Sequence, residues 1–199
     1  MVVDDVPAEF AERVVEAFHE RLARDARDQI DWWQVDVYWG DERCVDPGSP
    51  DSNELLGREA LLERVGAANA VYPMRCDDGP DPYQQRVAQL GRFDLVHLGL
   101  GPDGHTASLF PGSPGVDADP GRLVVMNEDP TGNNPFHRMT LTFSGIARAR
   151  LVIVTVEGEA KAEALAAVHR GDEVPAARIR GEKVVWLVDP PAASACQLS

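Results

Sequence analysis

Residues 93–111 have the sequence FDLVHLGLGPDGHTASLFP, in which an apolar run is followed directly by a polar loop with several glycines. The run Phe93 to Leu98 is short and largely apolar on both faces, which is typical of a buried strand in a parallel sheet. The glycines behind it predict a turn. Because open parallel sheets bind ligands beyond the carboxyl ends of their strands, this loop is the first candidate for a functional site.

Similar apolar runs, separated by helical patterns, occur along the rest of the chain. Further strands are predicted over 35–39, 123–126, 139–143, 151–156 and 184–188. Apolar residues spaced by three and four predict helices over 7–26, 53–65 and 159–168. This alternation predicts an α/β fold with a mostly parallel sheet and helices on both faces.

Length and composition are those of one globular domain. The chain has 199 residues, 44% of them hydrophobic, and we expect a single domain over 1–199. Its 19 Lys and Arg against 33 Asp and Glu give a formal charge of −14, which argues against binding to nucleic acid or to an anionic membrane. Any anionic ligand must therefore be held by a local group of cations.

The sequence has no pattern typical of a membrane span or of export. Its longest aliphatic run, 151–156, is far shorter than the ~20 residues that cross a bilayer. The first residues, MVVDDVPAEF, lack the layout of a secretory signal. Cys44, Cys76 and Cys196 are an odd number of cysteines without metal-like spacing, so we expect reduced thiols and a cytoplasmic protein.

The loop after Leu98 contains the best candidate for catalysis. His105 is the one side chain there that exchanges a proton near neutral pH, and Asp103 is close enough in sequence to orient it. Gly101 and Gly104 allow backbone amides to approach a ligand, and a helix starting near His105 would direct its N–H groups at negative charge. A helix-capping histidine without a function is the alternative interpretation.

Two further segments supply charges that suit an anionic substrate. Asp41-Glu42-Arg43 follows a predicted strand, and two carboxylates beside an arginine can fix its guanidinium toward an anion. Arg138 precedes another strand, and Lys161 lies at a strand-to-helix junction of the kind that binds phosphate. The alternative for Asp41-Glu42-Arg43 is a solvated turn without a function. The alternative for Arg138 and Lys161 is that both are ordinary surface cations.

The glycine spacing also matches a dinucleotide-binding fingerprint. Gly99, Gly101 and Gly104 satisfy G-x-G-x-x-G after a strand. Pro102 stiffens this turn, and Pro111 limits any following helix to about two turns, whereas the fingerprint opens a full helix. A dinucleotide-binding oxidoreductase is therefore the weakest alternative.

Taken together, five segments resemble one enzyme family. They are WGDERCV at 39–45, PDSN at 50–53, GLGPDGHTASLFP at 99–111, RMTLT at 138–142 and GEAK at 158–161, and they are similar to motifs of the 6-phosphogluconolactonase family. The similarity covers residues 30–193. Related glucosamine-6-phosphate deaminases share the Gly-Asp/Glu-Gly-His core but differ where this chain has Ser108-Leu109-Phe110-Pro111.

The resemblance implies a Rossmann-like fold and hydrolysis of 6-phospho-D-glucono-1,5-lactone to 6-phospho-D-gluconate in the oxidative pentose phosphate pathway. It implies no metal and no organic cofactor, and a phosphosugar lactone as the binding partner. We expect a monomer or a homodimer. By position, the catalytic residues fall on His105, the general base for a water molecule, and on Asp103. The substrate-binding residues implied in the same way are Asp41, Glu42, Arg43, Gly101, Gly104, Arg138 and Lys161.

The chain departs from the family pattern at two places. Family members have a strand and a Ser-Gly-Gly-Ser/Thr phosphate loop after the first helix, whereas here residues 22–29 lead directly into Ile30-Asp31-Trp32-Trp33. Residues 129–135, DPTGNNP, stand where many members have a Lys-Pro-Pro run. We therefore expect a gap in the sheet. An impaired lactonase, a deaminase-like isomerase and a non-catalytic phosphosugar-binding protein are the alternatives.

Overall fold

A computed structural model of the chain describes residue 24 and the ranges 28–66 and 68–196. Its strands are β1 Asp36–Tyr38, β2 Asp41–Arg43, β3 Ala70–Tyr72, β4 Phe93–Gly99, β5 Val124–Asn127, β6 Arg138–Leu141, β7 Ala149–Val156 and β8 Lys183–Val188. Its helices are α1, which consists of Asn53–Gly57, a π-helical turn Arg58–Leu62 and Glu63–Val65, then α2 Pro80–Leu90, α3 Phe143–Ile146 and α4 Ala162–Arg170.

Strand β7 is the middle of a three-stranded parallel sheet. It pairs with β4 on one side and with β8 on the other. Val152 and Val154 lie on one face of this strand and are fully buried, whereas Leu151 and Ile153 on the other face are half-buried. The register pairs Gly99 with Thr155, so the loops that follow β4 and β7 leave the sheet at the same edge. The parallel strands predicted over 93–98, 151–156 and 184–188 are confirmed.

Strands β1 and β3 form a second parallel pair, separate from the first sheet. Within the described ranges, no hydrogen-bonded strand joins either of them to β4. Aromatic packing connects the two sheets instead, because the ring of Tyr38 contacts the ring of Phe93 with centroids 5.6 Å apart. Tyr83 strengthens this contact by donating a hydrogen bond to the carbonyl oxygen of Trp39 at 3.0 Å. The expected gap in the sheet is thus present in the described part of the chain, and the contact between Tyr38 and Phe93 crosses it.

A third sheet is antiparallel and has the order β2-β6-β5. Its register places Asp41 opposite Thr140 and Arg43 opposite Arg138. The sequence did not predict β2, because three charged residues in a row are typical of a turn rather than of a strand. This sheet brings residues together that are about a hundred positions apart, and it carries one half of the candidate site.

Several predicted boundaries differ from the structure. The strand predicted over 139–143 ends at Leu141, because the Oγ1 atom of Thr142 accepts a hydrogen bond from the N–H of Gly145 and begins α3. Helix α2 was not predicted, and Pro80 occupies its first position, where the missing N–H is harmless. The helix predicted over 7–26 lies outside the described residues except for Arg24. No helix in the described ranges is both long and apolar enough to cross a membrane.

The expectation of three reduced cysteines is wrong for two of them. Cys44 and Cys76 form a disulfide whose Cα atoms are 5.5 Å apart, and only Cys196 is a free thiol. Cys44 directly follows β2, and Cys76 begins a short 3₁₀ turn before α2. Their separation of 32 residues gives no pairing signal in a sequence with an odd number of cysteines.

The carboxylate of Glu42 connects β2 to the start of α1. It accepts hydrogen bonds from the backbone N–H groups of Asn53 and Glu54, both at 2.7 Å, and of Arg43 at 2.8 Å. The hydroxyl of Ser52 donates to the same carboxylate at 3.3 Å. Burial raises the pKa of Glu42, although these backbone donors oppose the shift. Glu42 therefore caps a helix and faces away from solvent.

Replacing Glu42 by Ala is expected to leave buried N–H groups at the start of α1 without an acceptor. The free energy of unfolding should fall by about 2–4 kcal/mol in urea titrations. Glu63→Ala is the matched control, because Glu63 lies exposed at the other end of α1 and should change stability by less than about 0.5 kcal/mol. Equal effects of the two substitutions would disprove the capping role.

The disulfide is expected to leave one reactive thiol in the unfolded, untreated protein and three after reduction. Because Cys44 and Cys76 close a loop of 32 residues, Cys76→Ser should reduce the free energy of unfolding by about 2–4 kcal/mol. Cys196→Ser is the control and should leave stability nearly unchanged. Three titratable thiols before reduction would contradict the pairing.

Candidate functional site

The loop after β4 folds back on itself through two glycines. The N–H of Gly101 donates to the carbonyl oxygen of His105 at 2.8 Å, and the N–H of Gly104 donates to the carbonyl oxygen of Gly101 at 3.0 Å. A Cβ atom on Gly101 would lie 2.1 Å from Nδ1 of His105, so a larger residue would displace the imidazole. Gly104 has a φ of +83°, a conformation that favours glycine. These two glycines therefore determine where His105 lies.

The expected helix near His105 is wrong. Thr106 and Leu109 form an isolated antiparallel bridge, and Ala107 between them has a φ of 47°. The hydroxyl of Thr106 also donates to the carbonyl oxygen of Gly99 at 2.9 Å, which ties the turn to the end of β4. Because a left-handed residue interrupts helical geometry, residues 101–113 form tight turns. The loop therefore has no helix N-terminus to bind the pyrophosphate of a dinucleotide.

His105 and Asp103 form a hydrogen-bonded pair at the mouth of this loop. Nδ1 of His105 lies 2.6 Å from Oδ1 of Asp103, and the backbone N–H of His105 donates to the same oxygen at 3.1 Å. Burial alone would raise the pKa of Asp103, but the hydrogen bonds from His105 outweigh it and hold the pKa below its usual value. An ionised Asp103 accepts a proton-bearing Nδ1, which leaves Nε2 as the basic nitrogen. The pair therefore has the arrangement of a general base with its orienting carboxylate.

Arg43 and Arg138 lie side by side in the antiparallel sheet. Arg43 is 7% exposed to solvent and Arg138 is 6% exposed. Burial and, to a smaller extent, the charge of Arg138 lower the pKa of Arg43 to about 10, while the carboxylate of Asp51 opposes the shift. Burial also lowers the pKa of Arg138, whose Nε has no hydrogen-bond partner in the described part of the chain. Two buried like charges are unfavourable together, so this pair is suited to an anion that neutralises both.

The histidine loop is attached to the same antiparallel sheet through Ser108. Its hydroxyl donates to Oδ2 of Asp41 at 2.6 Å, and its backbone N–H donates to the hydroxyl of Thr140 at 3.2 Å. Asn127 on β5 completes the attachment by donating to the carbonyl oxygen of Ser108 at 2.7 Å. Sequence reasoning did not assign Ser108, Thr140 or Asn127. Thr140 carried a usable signal, because it lies two positions after Arg138 and therefore on the same face of a strand.

Lys161 is the third buried cation. It ends the 3₁₀ turn Glu159–Lys161 that follows β7, and it is 2% exposed. Its Nζ atom has no hydrogen-bond partner among the residues that the structure describes. Burial lowers the pKa of Lys161 to about 8, whereas the negative charge of Asp103 acts in the opposite direction. An unpaired buried ammonium is a candidate ligand for an anion.

The predicted site residues therefore fall into two groups that meet at one aromatic ring. The edge of the parallel sheet supplies His105, Asp103 and Lys161, and the antiparallel sheet supplies Arg43 and Arg138. The ring of Phe110 lies 4.9 Å from the imidazole of His105 and 6.0 Å from the guanidinium carbon of Arg138. Among the predicted substrate ligands, Glu42 is turned toward α1, and Asp41 is bonded to Ser108.

The described residues contain no cluster of three or more acidic, histidine or cysteine side chains that could hold a metal ion. The arrangement instead combines a histidine–carboxylate pair with buried cations. Such a combination can activate a water molecule next to a bound anion.

Comparison with known proteins places this geometry in a family. Residues 13–186 match the family model for glucosamine-6-phosphate isomerases/6-phosphogluconolactonase. A 6-phosphogluconolactonase of Streptomyces coelicolor is 36% identical over 192 residues, which cover 85% of this chain and 73% of that protein. A 6-phosphogluconolactonase of Mycobacterium tuberculosis is 37% identical over 187 residues, which cover 83% of this chain and 75% of that protein.

A solved structure gives the same result at the level of the fold. The crystal structure of 6-phosphogluconolactonase from Thermotoga maritima superposes with a TM-score of 0.75 at 29% identity, covering 88% of this chain and 81% of the other. The α/β, Rossmann-like fold class predicted from the sequence is thereby confirmed. The chain belongs to the glucosamine-6-phosphate isomerase/6-phosphogluconolactonase family.

Proposed function

We propose that this protein is a lactone hydrolase that converts 6-phospho-D-glucono-1,5-lactone into 6-phospho-D-gluconate in the oxidative pentose phosphate pathway. The names of its relatives support this activity over that of a deaminase. The observation that carries the proposal is the contact of 2.6 Å between His105 and Asp103 on the same edge of the sheet as the buried Lys161. A monomeric or dimeric state and a cytoplasmic location stay predictions.

His105 is assigned the role of general base. Its Nε2 takes a proton from water while the water oxygen bonds to the lactone carbonyl carbon, and the carbonyl electron pair moves onto oxygen. Collapse of the tetrahedral species breaks the bond to the ring oxygen, which receives the proton back from the imidazolium. Asp103 stabilises that imidazolium and keeps Nε2 facing the substrate.

The buried cations are assigned to the charges of the substrate. Arg43 and Arg138 form a paired positive centre that suits a phosphate dianion, since guanidinium groups bind phosphate with more than one hydrogen bond. Lys161 adds positive charge beside Asp103. Gly101 and Gly104 shape the loop, while Glu42 and Asp41 act by holding α1 and Ser108 in place. This division of roles explains how a chain with a charge of −14 can bind an anionic sugar.

His105→Ala is expected to reduce kcat by about 100- to 10,000-fold, because it removes the base but leaves the cations in place. Acid release from freshly prepared phospholactone, followed with a pH indicator and corrected for spontaneous hydrolysis, measures this effect. Calorimetry should show that the variant still binds 6-phosphogluconate. Asp103→Asn tests the orienting role and should lower kcat without changing that binding.

Three results of these assays would reject the proposal in different ways. Equal rates for the wild type and His105→Ala would remove the catalytic role of the histidine. Binding of 6-phosphogluconate by a wild type without turnover would favour the non-catalytic phosphosugar-binding alternative, which the gap in the sheet suggests. Ammonia release from glucosamine 6-phosphate would identify a deaminase.

Affinity for 6-phosphogluconate is expected to fall as the pH rises through about 8, where Lys161 loses its proton. Lys161→Met should bind more weakly at pH 7 and should lose this pH dependence. Calorimetry between about pH 7 and 9, roughly one unit either side of that pKa, can measure both effects. A wild type whose affinity stays constant across this range would contradict the assignment.

Lys161→Met is expected to weaken ligand binding but to increase the stability of the fold. Because the folded pKa of Lys161 lies below its ordinary value, the unfolded chain binds the extra proton, and stability rises with pH from about 8 toward 10.5. At pH 7 the full penalty of the buried charge is present. Lys161→Met should therefore raise the free energy of unfolding by about 1–3 kcal/mol while it weakens binding.

A further inference from the structure

Phe136 is a half-buried aromatic residue next to the pair of buried arginines. Its ring centroid lies 5.9 Å from the guanidinium carbon of Arg43 and 6.0 Å from that of Arg138. One ring is thus shared between two cations. Arg138 also lies 6.0 Å from the ring of Phe110, so two aromatic side chains are near its guanidinium.

The backbone on both sides of Phe136 is anchored. On the C-terminal side, the N–H of Cys44 donates to the carbonyl oxygen of His137 at 2.8 Å, which extends the pairing of β2 with β6 by one residue. This bond fixes the distance between the Phe136 backbone and the strand that carries Arg43. The fixed backbone therefore keeps the ring of Phe136 close to the arginines.

On the N-terminal side, Asp129 closes the loop that leads to Phe136. One carboxylate oxygen accepts hydrogen bonds from the N–H of Thr131 at 2.8 Å and from its hydroxyl at 2.7 Å. The other accepts from the N–H of Asn134 at 3.0 Å and from its side-chain amide at 2.8 Å. Burial would raise the pKa of Asp129, but these donors lower it, so the carboxylate stays ionised and the loop closed.

The charges around the ring explain why an aromatic residue suits this place. A negative π-face attracts cations and carries no counter-charge that a phosphate would have to displace. Asp41, Glu42 and Asp129 act on Arg138 through space and favour its protonated form. An acidic residue at position 136 would instead occupy the arginines with an internal ion pair.

We propose that Phe136 is a positioning residue of the anion site, which holds Arg43 and Arg138 in one orientation under a shared aromatic ring and so selects phosphorylated over unphosphorylated lactones. This inference rests on the proposed function for its substrate. The ring contributes mainly to binding of the phosphate and not to the proton transfers at His105, because its contacts are with the guanidinium groups.

The test compares two substitutions of Phe136. Phe136→Leu keeps an apolar side chain but removes the aromatic ring, and Phe136→Tyr keeps an aromatic ring. For Phe136→Leu we expect KM for the phospholactone and the dissociation constant of 6-phosphogluconate to rise about 5- to 20-fold, with kcat within about twofold of the wild type. Phe136→Tyr should stay close to wild-type values. Turnover of unphosphorylated glucono-1,5-lactone should be unchanged in both variants.

Phe143→Leu is the matched control, because Phe143 also contacts an arginine, with the guanidinium carbon of Arg178 at 4.4 Å from its ring, but lies outside the site. It should leave KM and affinity unchanged. Equal KM and equal affinity for the wild type and Phe136→Leu would overturn the proposal, as would a parallel loss of activity on both lactones.

Calorimetry with 6-phosphogluconate separates this proposal from the proposed function. If the wild type binds this ligand without turnover, the lactonase assignment is wrong. A larger dissociation constant for Phe136→Leu would still support the role of the ring in that case. If His105→Ala is inactive and Phe136→Leu binds like the wild type, the lactonase assignment stands and the role of the ring is wrong.

Discussion

The site depends on the pairing of β2 with β6, which places the guanidinium groups of Arg43 and Arg138 next to each other away from water. Like charges in a region of low dielectric constant repel, and neither residue can leave the sheet without breaking its hydrogen bonds. The surrounding carboxylates reduce this repulsion, since Asp41, Glu42, Asp51 and Asp129 all act on Arg138. The protein thus maintains a positive centre that an anionic ligand completes.

Most carboxylates near this centre also have a structural task. Glu42 accepts from the first N–H groups of α1, Asp41 accepts from Ser108, and Asp103 accepts from His105. Each of them positions a neighbour through short hydrogen bonds to charged oxygens. The excess of acidic residues in the composition therefore coexists with a local site for anions, because Glu42, Asp41 and Asp103 already hold other parts of the protein.

The fold was predictable where apolar patterns are strong and unpredictable where polar residues form regular structure. Strand β7 has apolar side chains on both faces and β4 contains several buried apolar residues, so short apolar runs in the sequence identify both. Strand β2 consists of three charged residues and becomes a strand only through pairing with β6. The helix predicted near His105 is not formed, because Ala107 adopts a left-handed conformation that its tertiary surroundings maintain.

By itself, the sequence determined the class of fold, the family resemblance and the residue types of the site, because these depend on local patterns and on motifs of a few residues. His105 with Asp103 is such a motif, since two positions separate them. Only the tertiary structure decided the pairing of Arg43 with Arg138, the disulfide of Cys44 with Cys76 and the ring of Phe136 over two cations. The physical reason is that the arginine pairing, the disulfide and the contact of Phe136 with Arg43 join residues far apart in the chain, whose meeting depends on strand register and packing rather than on local preference.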